Sequence, residues 1–295
     1  MEKSIILLII FFIFSCNTNS KNESKNINQV NFNTFISTLK IPNELTFCGE
    51  KVPLEIDEVK ERAEREFYML LQQPGQIILY LKRSGRYFPM FEKIFQEYNV
   101  PDDLKYLSVA ESALYMARSP KNAVGLWQFI ESTAQKMGLI INDYIDERRH
   151  PEKSTRAAIK YLKIGYDATG SWFAAAAGYN MGHTNLQEHF TYQNKNDVFD
   201  LFLNEETSRY LLRIVIIKEI MSNPEKYGFQ LDENDYYKPL KTKKIKIQSI
   251  EDLATWAEQN NTSYKYVKLY NPWILGNKLP KISNNFTYEI LIPEN

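Results

Sequence analysis

Cysteine is nearly missing from this chain: 295 residues contain only Cys16 and Cys48. If Cys16 is modified, Cys48 has no intramolecular partner, which excludes a disulfide and any cysteine-based metal cluster. Histidine is nearly as scarce, and His150, His183 and His189 are scattered, so neither a zinc site nor another metal or cofactor is expected. Charge of one sign is also absent, because 36 basic and 36 acidic side chains cancel to a formal net charge of zero. No broad electrostatic field then favours nucleic acid or an anionic membrane as a partner. Apolar runs are short as well. Ile5 to Phe14 falls below the length that spans a bilayer as a helix.

That first run follows the short head Met1-Glu2-Lys3 and reads as a secretion signal over 1–15. Ile13-Phe14-Ser15-Cys16 resembles a lipobox, in which the chain is cut before a cysteine that is then acylated. Cys16 is therefore the expected lipidation site, anchoring the protein in a bacterial cell envelope, at the outer membrane facing the periplasm. The alternative is a cysteine that merely ends the apolar run. The residues that follow are rich in Asn, Ser, Lys and Thr, which cannot offset the entropy of ordering, so 16–50 is expected to be a disordered tether.

Apolar residues make up 44% of the chain and aromatics 14%, enough for one sizeable domain and a smaller one. Apolar spacing predicts helices over Ile56–Leu71, Ile77–Ser84, Tyr87–Tyr98, Glu131–Met137, Arg156–Tyr166, Trp172–Tyr179 and Ser208–Met221. Another helix, opened by Val100-Pro101-Asp102-Asp103, carries Glu111. After about residue 240 the order changes to strand, helix, helix, strand, over Lys243–Ile247, Ile250–Gln259, Tyr264–Tyr270 and Tyr288–Pro293. The expected fold is mainly α: a helical domain over 51–235, with its motifs in 100–230, then a small βααβ module over 240–295.

Glu111 ends an apolar helical run, where desolvation would raise its pKa and let it hold a proton near neutral pH. Such a group can protonate a leaving oxygen, although a solvated helix residue is the ordinary fate of a glutamate. Gly125-Leu126-Trp127-Gln128 and Ala177-Gly178-Tyr179-Asn180 add amide, phenol and indole groups suited to gripping a sugar chain. Glu131, Asp143, Asp146 and Glu147 read as solvated charges.

Glu111-Ser112-Ala113-Leu114, then Ser119 to Phe129 with Gly125-Leu126-Trp127-Gln128, then Ala174 to Gly182 with Tyr179-Asn180, resemble in order the three motifs of soluble-lytic-transglycosylase domains of glycoside hydrolase family 23. Asp146–Thr155 and Leu203–Tyr210 are similar to a membrane-bound branch of that family. The resemblance implies a lysozyme-like helical catalytic domain and peptidoglycan glycan strands as substrate. It also implies that Glu111 acts alone, first as acid toward the glycosidic oxygen and then as base toward the sugar's own primary hydroxyl. The substrate's acetamido group would stabilise the cationic centre, and the product would be a 1,6-anhydromuramoyl end. Gln128, Tyr179, Asn180, Ser119 and Ser112 are the implied substrate-binding residues, with Ser112 also supporting the helix end. Two positions depart from the pattern: Gly178 stands for alanine, and Leu114-Tyr115-Met116 for Phe-Asn-Pro. A hydrolytic muramidase of the same fold and a non-catalytic peptidoglycan-binding scaffold remain the alternatives. Residues 240–295 resemble a divergent LysM domain, which implies binding to N-acetylglucosamine or a spacer role.

Overall fold

A computed structural model describes residues 32–294; the signal expected over 1–15 and Cys16 lie outside them. Helix α1 (Phe32–Thr38) falls in a unit of its own, and Leu39 onward forms one compact unit.

The expected tether over 16–50 needs correction at its far end. β1 (Thr46–Phe47) and β2 (Glu50–Lys51) pair as an antiparallel hairpin that buries Leu45, Phe47 and Val52. Cys48 and Gly49 both take positive φ, 54° and 85°, as a two-residue hairpin turn with the natural strand twist requires. Strands of two residues are too short to show a period, so composition alone reads this segment as unstructured. The hairpin is tied down by polar bonds. Asp103 accepts from the Cys48 N–H at 2.7 Å and from Lys218 at 2.6 Å, and Lys218 also donates to the Thr46 carbonyl.

Helix α2 (Asp57–Leu71) starts on two acids that favour its N-terminal dipole end. Helix α3 (Pro74–Tyr98) is continuous where the sequence predicts two helices. Pro89 removes one ladder bond, at a cost of about 3 kcal/mol. The apolar stripe Ile77, Leu81, Phe91, Ile94 and Phe95 nevertheless runs straight through it and is wholly buried. Burial of that stripe at roughly 1.5–3 kcal/mol per side chain outweighs the lost bond.

A 3₁₀ turn at Asp102–Leu104 leads into α4 (Lys105–Ser112), followed by α5 (Glu131–Lys136), α6 (Pro151–Thr169), α7 (Trp172–Met181) and α8 (His183–Gln193). Helix α8 is not predicted by the sequence; of its residues only Leu186 and Phe190 are buried, too sparse a stripe to stand out. Helix α9 (Glu205–Ser222) is the core of the bundle, burying Ile214, Val215, Ile216, Ile217 and Ile220 against α2, α4 and α7.

Beyond it, β3 (Thr242–Ile247), α10 (Leu253–Gln259), α11 (Tyr264–Tyr270) and β4 (Tyr288–Pro293) follow in the expected order, with β3 and β4 antiparallel and Lys244 opposite Leu291. Leu253, Trp256, Val267, Leu279 and Ile290 fill the module's core. Buried Asn271 clamps it, donating to the Val267 and Leu291 carbonyls and accepting from the Leu291 N–H. The module is not free-standing: Ile145, from the helical part, is a member of this core.

Candidate active site

Helix α4 ends at Ser112, and Ala113 and Leu114 both adopt left-handed conformations (φ 55° each), so the chain turns away directly after Glu111. Glu111 is half-buried and opens on a cleft of about 570 Å³. Burial pushes its pKa up to about 7; Glu206 pushes the same way, while Tyr210 and Arg213 oppose. A carboxyl in this state is protonated in part of the population at neutral pH. It can therefore donate a proton and later accept one.

Two serines attach the next motif to this helix. Ser108 and Ser112 both donate to the Leu126 carbonyl, at 2.9 and 2.8 Å. Ser112 is buried and does not line the cleft, so its place among the substrate contacts is corrected: its hydroxyl positions the turn that carries Gln128. Gln128 has a φ of 47°, and its amide nitrogen donates to the Ala117 and Gly125 carbonyls, leaving its amide oxygen without a partner among the described residues. Trp127 is wholly buried and donates to Thr155, as a core residue does.

Helix α7 supplies the opposite groups. Tyr179 donates to the Trp127 carbonyl at 2.7 Å, and burial raises its pKa well above the usual phenol value, with Glu111 adding to the rise. Asn180 accepts from the Thr207 hydroxyl at 2.8 Å and so keeps its amide donors for the cleft it lines. The N-terminus of α7 is capped by Ser171 and also by Glu50 of the hairpin, which accepts from the Ser171 hydroxyl and the Trp172 N–H. Gly178 has a steric reason. A Cβ there would stand 2.1 Å from His183 Nδ1, and His183 is held by the Tyr161 carbonyl.

Glu111, Gln128, Tyr179, Asn180 and Ser119 thus share one cleft. Ser119 accepts from the Ala123 N–H and holds its own loop while lining the cavity. Three residues of α9 were missed by sequence reasoning: Glu206, Tyr210 and Arg213, all of which perturb Glu111. Their spacing of i, i+4 and i+7 places them on one helical face, a signal a helical-wheel reading carries. The Tyr210 hydroxyl is buried and faces Glu111, lowering its pKa, although in this conformation it forms no regular hydrogen bond.

Arg148 was not singled out either. It forms a buried two-pronged ion pair with Asp146 and donates to the Asn122 and Phe129 carbonyls. Gly125, at φ 87°, packs so closely on it that a Cβ would meet the Arg148 carbonyl at 2.0 Å. Asp146 in turn donates its N–H to the Trp273 carbonyl of the C-terminal module, and Trp273 stacks on His150. Burial lowers the His150 pKa to about 3, so that ring stays neutral. The reading of Asp146 and Glu147 as solvated charges is corrected, since both are buried.

Known proteins are similar to this chain in both of its regions. Residues 89–202 match the Transglycosylase SLT domain, and residues 243–295 the Soluble lytic transglycosylase C-terminal LysM-like domain. The chain is 26% identical over 240 residues to membrane-bound lytic murein transglycosylase D of Escherichia coli strain K12, covering 79% of this chain and 52% of that protein. The protein of the same name from Escherichia coli O6:H1 gives the same figures. The chain spans about half the length of these curated relatives.

Proposed function

We propose that this chain, with its SLT and LysM-like domains, is a lytic murein transglycosylase. It cleaves the β-1,4 bond between N-acetylmuramic acid and N-acetylglucosamine without water. Glu111 protonates the glycosidic oxygen as the C1–O bond breaks. Its carboxylate then takes the proton from the muramic acid C6 hydroxyl as that oxygen bonds to C1, which closes the 1,6-anhydro ring and regenerates the acid. Tyr179, Asn180, Gln128 and Ser119 hold the sugar's hydroxyl and acetamido groups.

The observation that carries this reading is the single carboxyl with a pKa near 7 inside the cleft. Most glycosidases set two carboxylates across the scissile bond. The other carboxylate lining this cleft, Glu206, is exposed and faces Lys121 at 3.9 Å. Digestion of purified sacculi followed by mass spectrometry tests the proposal: anhydro ends are expected, one water lighter than the reducing ends that hydrolysis leaves. A hydrolytic reading draws on Glu206 to orient water, and it predicts that Glu206→Gln abolishes reducing-end products.

The same proposal includes membrane attachment through acylated Cys16. Intact-mass measurement of the mature protein tests it. Among the described residues no helix is long and apolar enough to cross a membrane. The LysM-like module is read as a second contact with peptidoglycan.

A further inference from the structure

A second cavity, of about 300 Å³, is lined by Arg83, Arg86 and Tyr87 of α3, by Leu114, Tyr115 and Met116 after α4, and by Tyr237. It shares no lining residue with the Glu111 cleft. Its construction is deliberate in two respects. Gly85 lets the linker come down onto α3, since a Cβ there would stand 2.7 Å from the Tyr236 Cβ, and the Tyr237 N–H bonds the Lys82 carbonyl at 2.8 Å. The tripeptide Leu114-Tyr115-Met116, which departs from the family pattern, supplies the opposite wall.

Charge decides what the cavity can hold. Arg62, Arg65, Arg148, Arg156, Arg209 and Arg213 each pair with a carboxylate. Among the described residues Arg83, Arg86, Arg118 and Arg149 meet none, and of these only Arg83 and Arg86 share a cavity with each other. The nearby acid Asp235 is taken by Lys82. Arg83 lies over the Tyr115 ring at 5.3 Å and donates once, to the Ala113 carbonyl. Arg86 lies over the Tyr237 ring at 5.5 Å, with one long bond of 3.4 Å to the Lys238 carbonyl. Stacking fixes the planar guanidinium groups without neutralising them, and most of their five donors each stay free. Two like charges three residues apart on one helix repel unless an anion joins them.

We propose that this cavity is a subsite for a carboxylate of the short peptide carried by the glycan strand, read by Arg86 and Arg83 together. The inference rests on the proposed substrate. The Tyr115 N–H bonds the Ser112 carbonyl at 3.0 Å, a turn that keeps Tyr115 within about 11 Å of Glu111, and a four-residue peptide extends about 13 Å. A peptide on the muramic acid beside the scissile bond is thus within reach. The exposed rings of Tyr115 and Tyr237 suit its apolar parts.

Binding to the full chain carrying Glu111→Gln, which slows turnover enough for binding to be read, tests the subsite. Three soluble ligands are compared: a muramyl disaccharide with a free-acid peptide, the same with its carboxylates amidated, and the bare disaccharide. The free-acid ligand is expected to bind about tenfold tighter than the amidated one, the scale of one charge-assisted pair. Adding Arg86→Gln is expected to erase that preference and leave the bare disaccharide unchanged, while Arg86→Lys restores part of it. Equal affinity for the free-acid and amidated ligands, no measurable binding of the free-acid ligand, or an equal loss for all three ligands in Arg86→Gln overturns the proposal. Because binding is read and not turnover, a chain that keeps the preference but yields no anhydro ends would refute the reaction and keep the subsite.

Discussion

The helical bundle around Glu111 and the C-terminal module around Asn271 use their polar side chains differently. Around Glu111, among the described residues, the Gln128 oxygen and the Asn180 amide donors are left free on the cleft they line, and the buried Tyr210 hydroxyl has no partner. In the module, Asn271 spends its side chain on backbone of the module itself. Unspent groups gathered on one cleft are the mark of a site, while spent ones hold a shape; the buried Thr262 hydroxyl of the module also lacks a partner, but it stands alone. Yet the two regions meet. Ile145 sits in the module's core, Asp146 bonds Trp273, and Arg148 braces the turn that holds Gln128. The difference teaches that the module supports the cleft through these contacts.

The sharpest way to break this comparison is to remove the titrating proton. Glu111→Gln is expected to lower turnover by about 10²- to 10⁴-fold, read as release of anhydro products from sacculi. Its stability should change with pH in a defined sense. The folded pKa of about 7 lies above the ordinary carboxyl value of 4.5, so the stabilisation from protonated Glu111 is whole below pH 4.5 and lost as pH rises through 7. Thermal melts should then show the variant gaining up to about 3 kcal/mol on the wild type between pH 4 and pH 8. A constant offset across pH would refute the buried-acid reading.

Next in size, Arg148→Ala leaves Asp146 buried without its partner and is expected to cost about 3–5 kcal/mol. Trp273→Ala should cost a similar amount, about 3–5 kcal/mol. Both should reduce activity and unfold the chain in one transition. If Trp273→Ala instead separates a module transition from an unchanged catalytic one, the module is not a support.

Smaller effects sharpen the picture within the bundle. Gly178→Ala sets a methyl against the His183 ring and should cost about 1–3 kcal/mol in chemical denaturation, partly recovered by adding His183→Ala. Tyr210→Phe is expected to change turnover least. It removes a group that lowers the Glu111 pKa, so the alkaline limb of the pH–rate profile should move to higher pH.

Much of this was legible in the sequence. Ile56–Leu71 declares a helix by its apolar spacing and Trp172–Tyr179 by its run of alanines, and three motifs in order point to Glu111, Gln128 and Tyr179 as one site. What was hidden has particular causes. The 46–51 hairpin is too short for a period, and its turn uses Cys48-Gly49 in place of a familiar pair. Helix α3 runs through Pro89 because a buried stripe outweighs one lost bond.

The sequence by itself determined the chemistry available: one carboxyl at the end of an apolar helix, amides and phenols at fixed spacings, and a neutral chain with almost no cysteine. Local propensity and residue type suffice for that. Only the tertiary structure decided that Ser112 supports the site from behind, that Tyr210 faces Glu111, and that Arg148 joins the module to the cleft. Burial and contacts between distant segments set a side chain's pKa and its free donors, and neither is a property of neighbours in the chain.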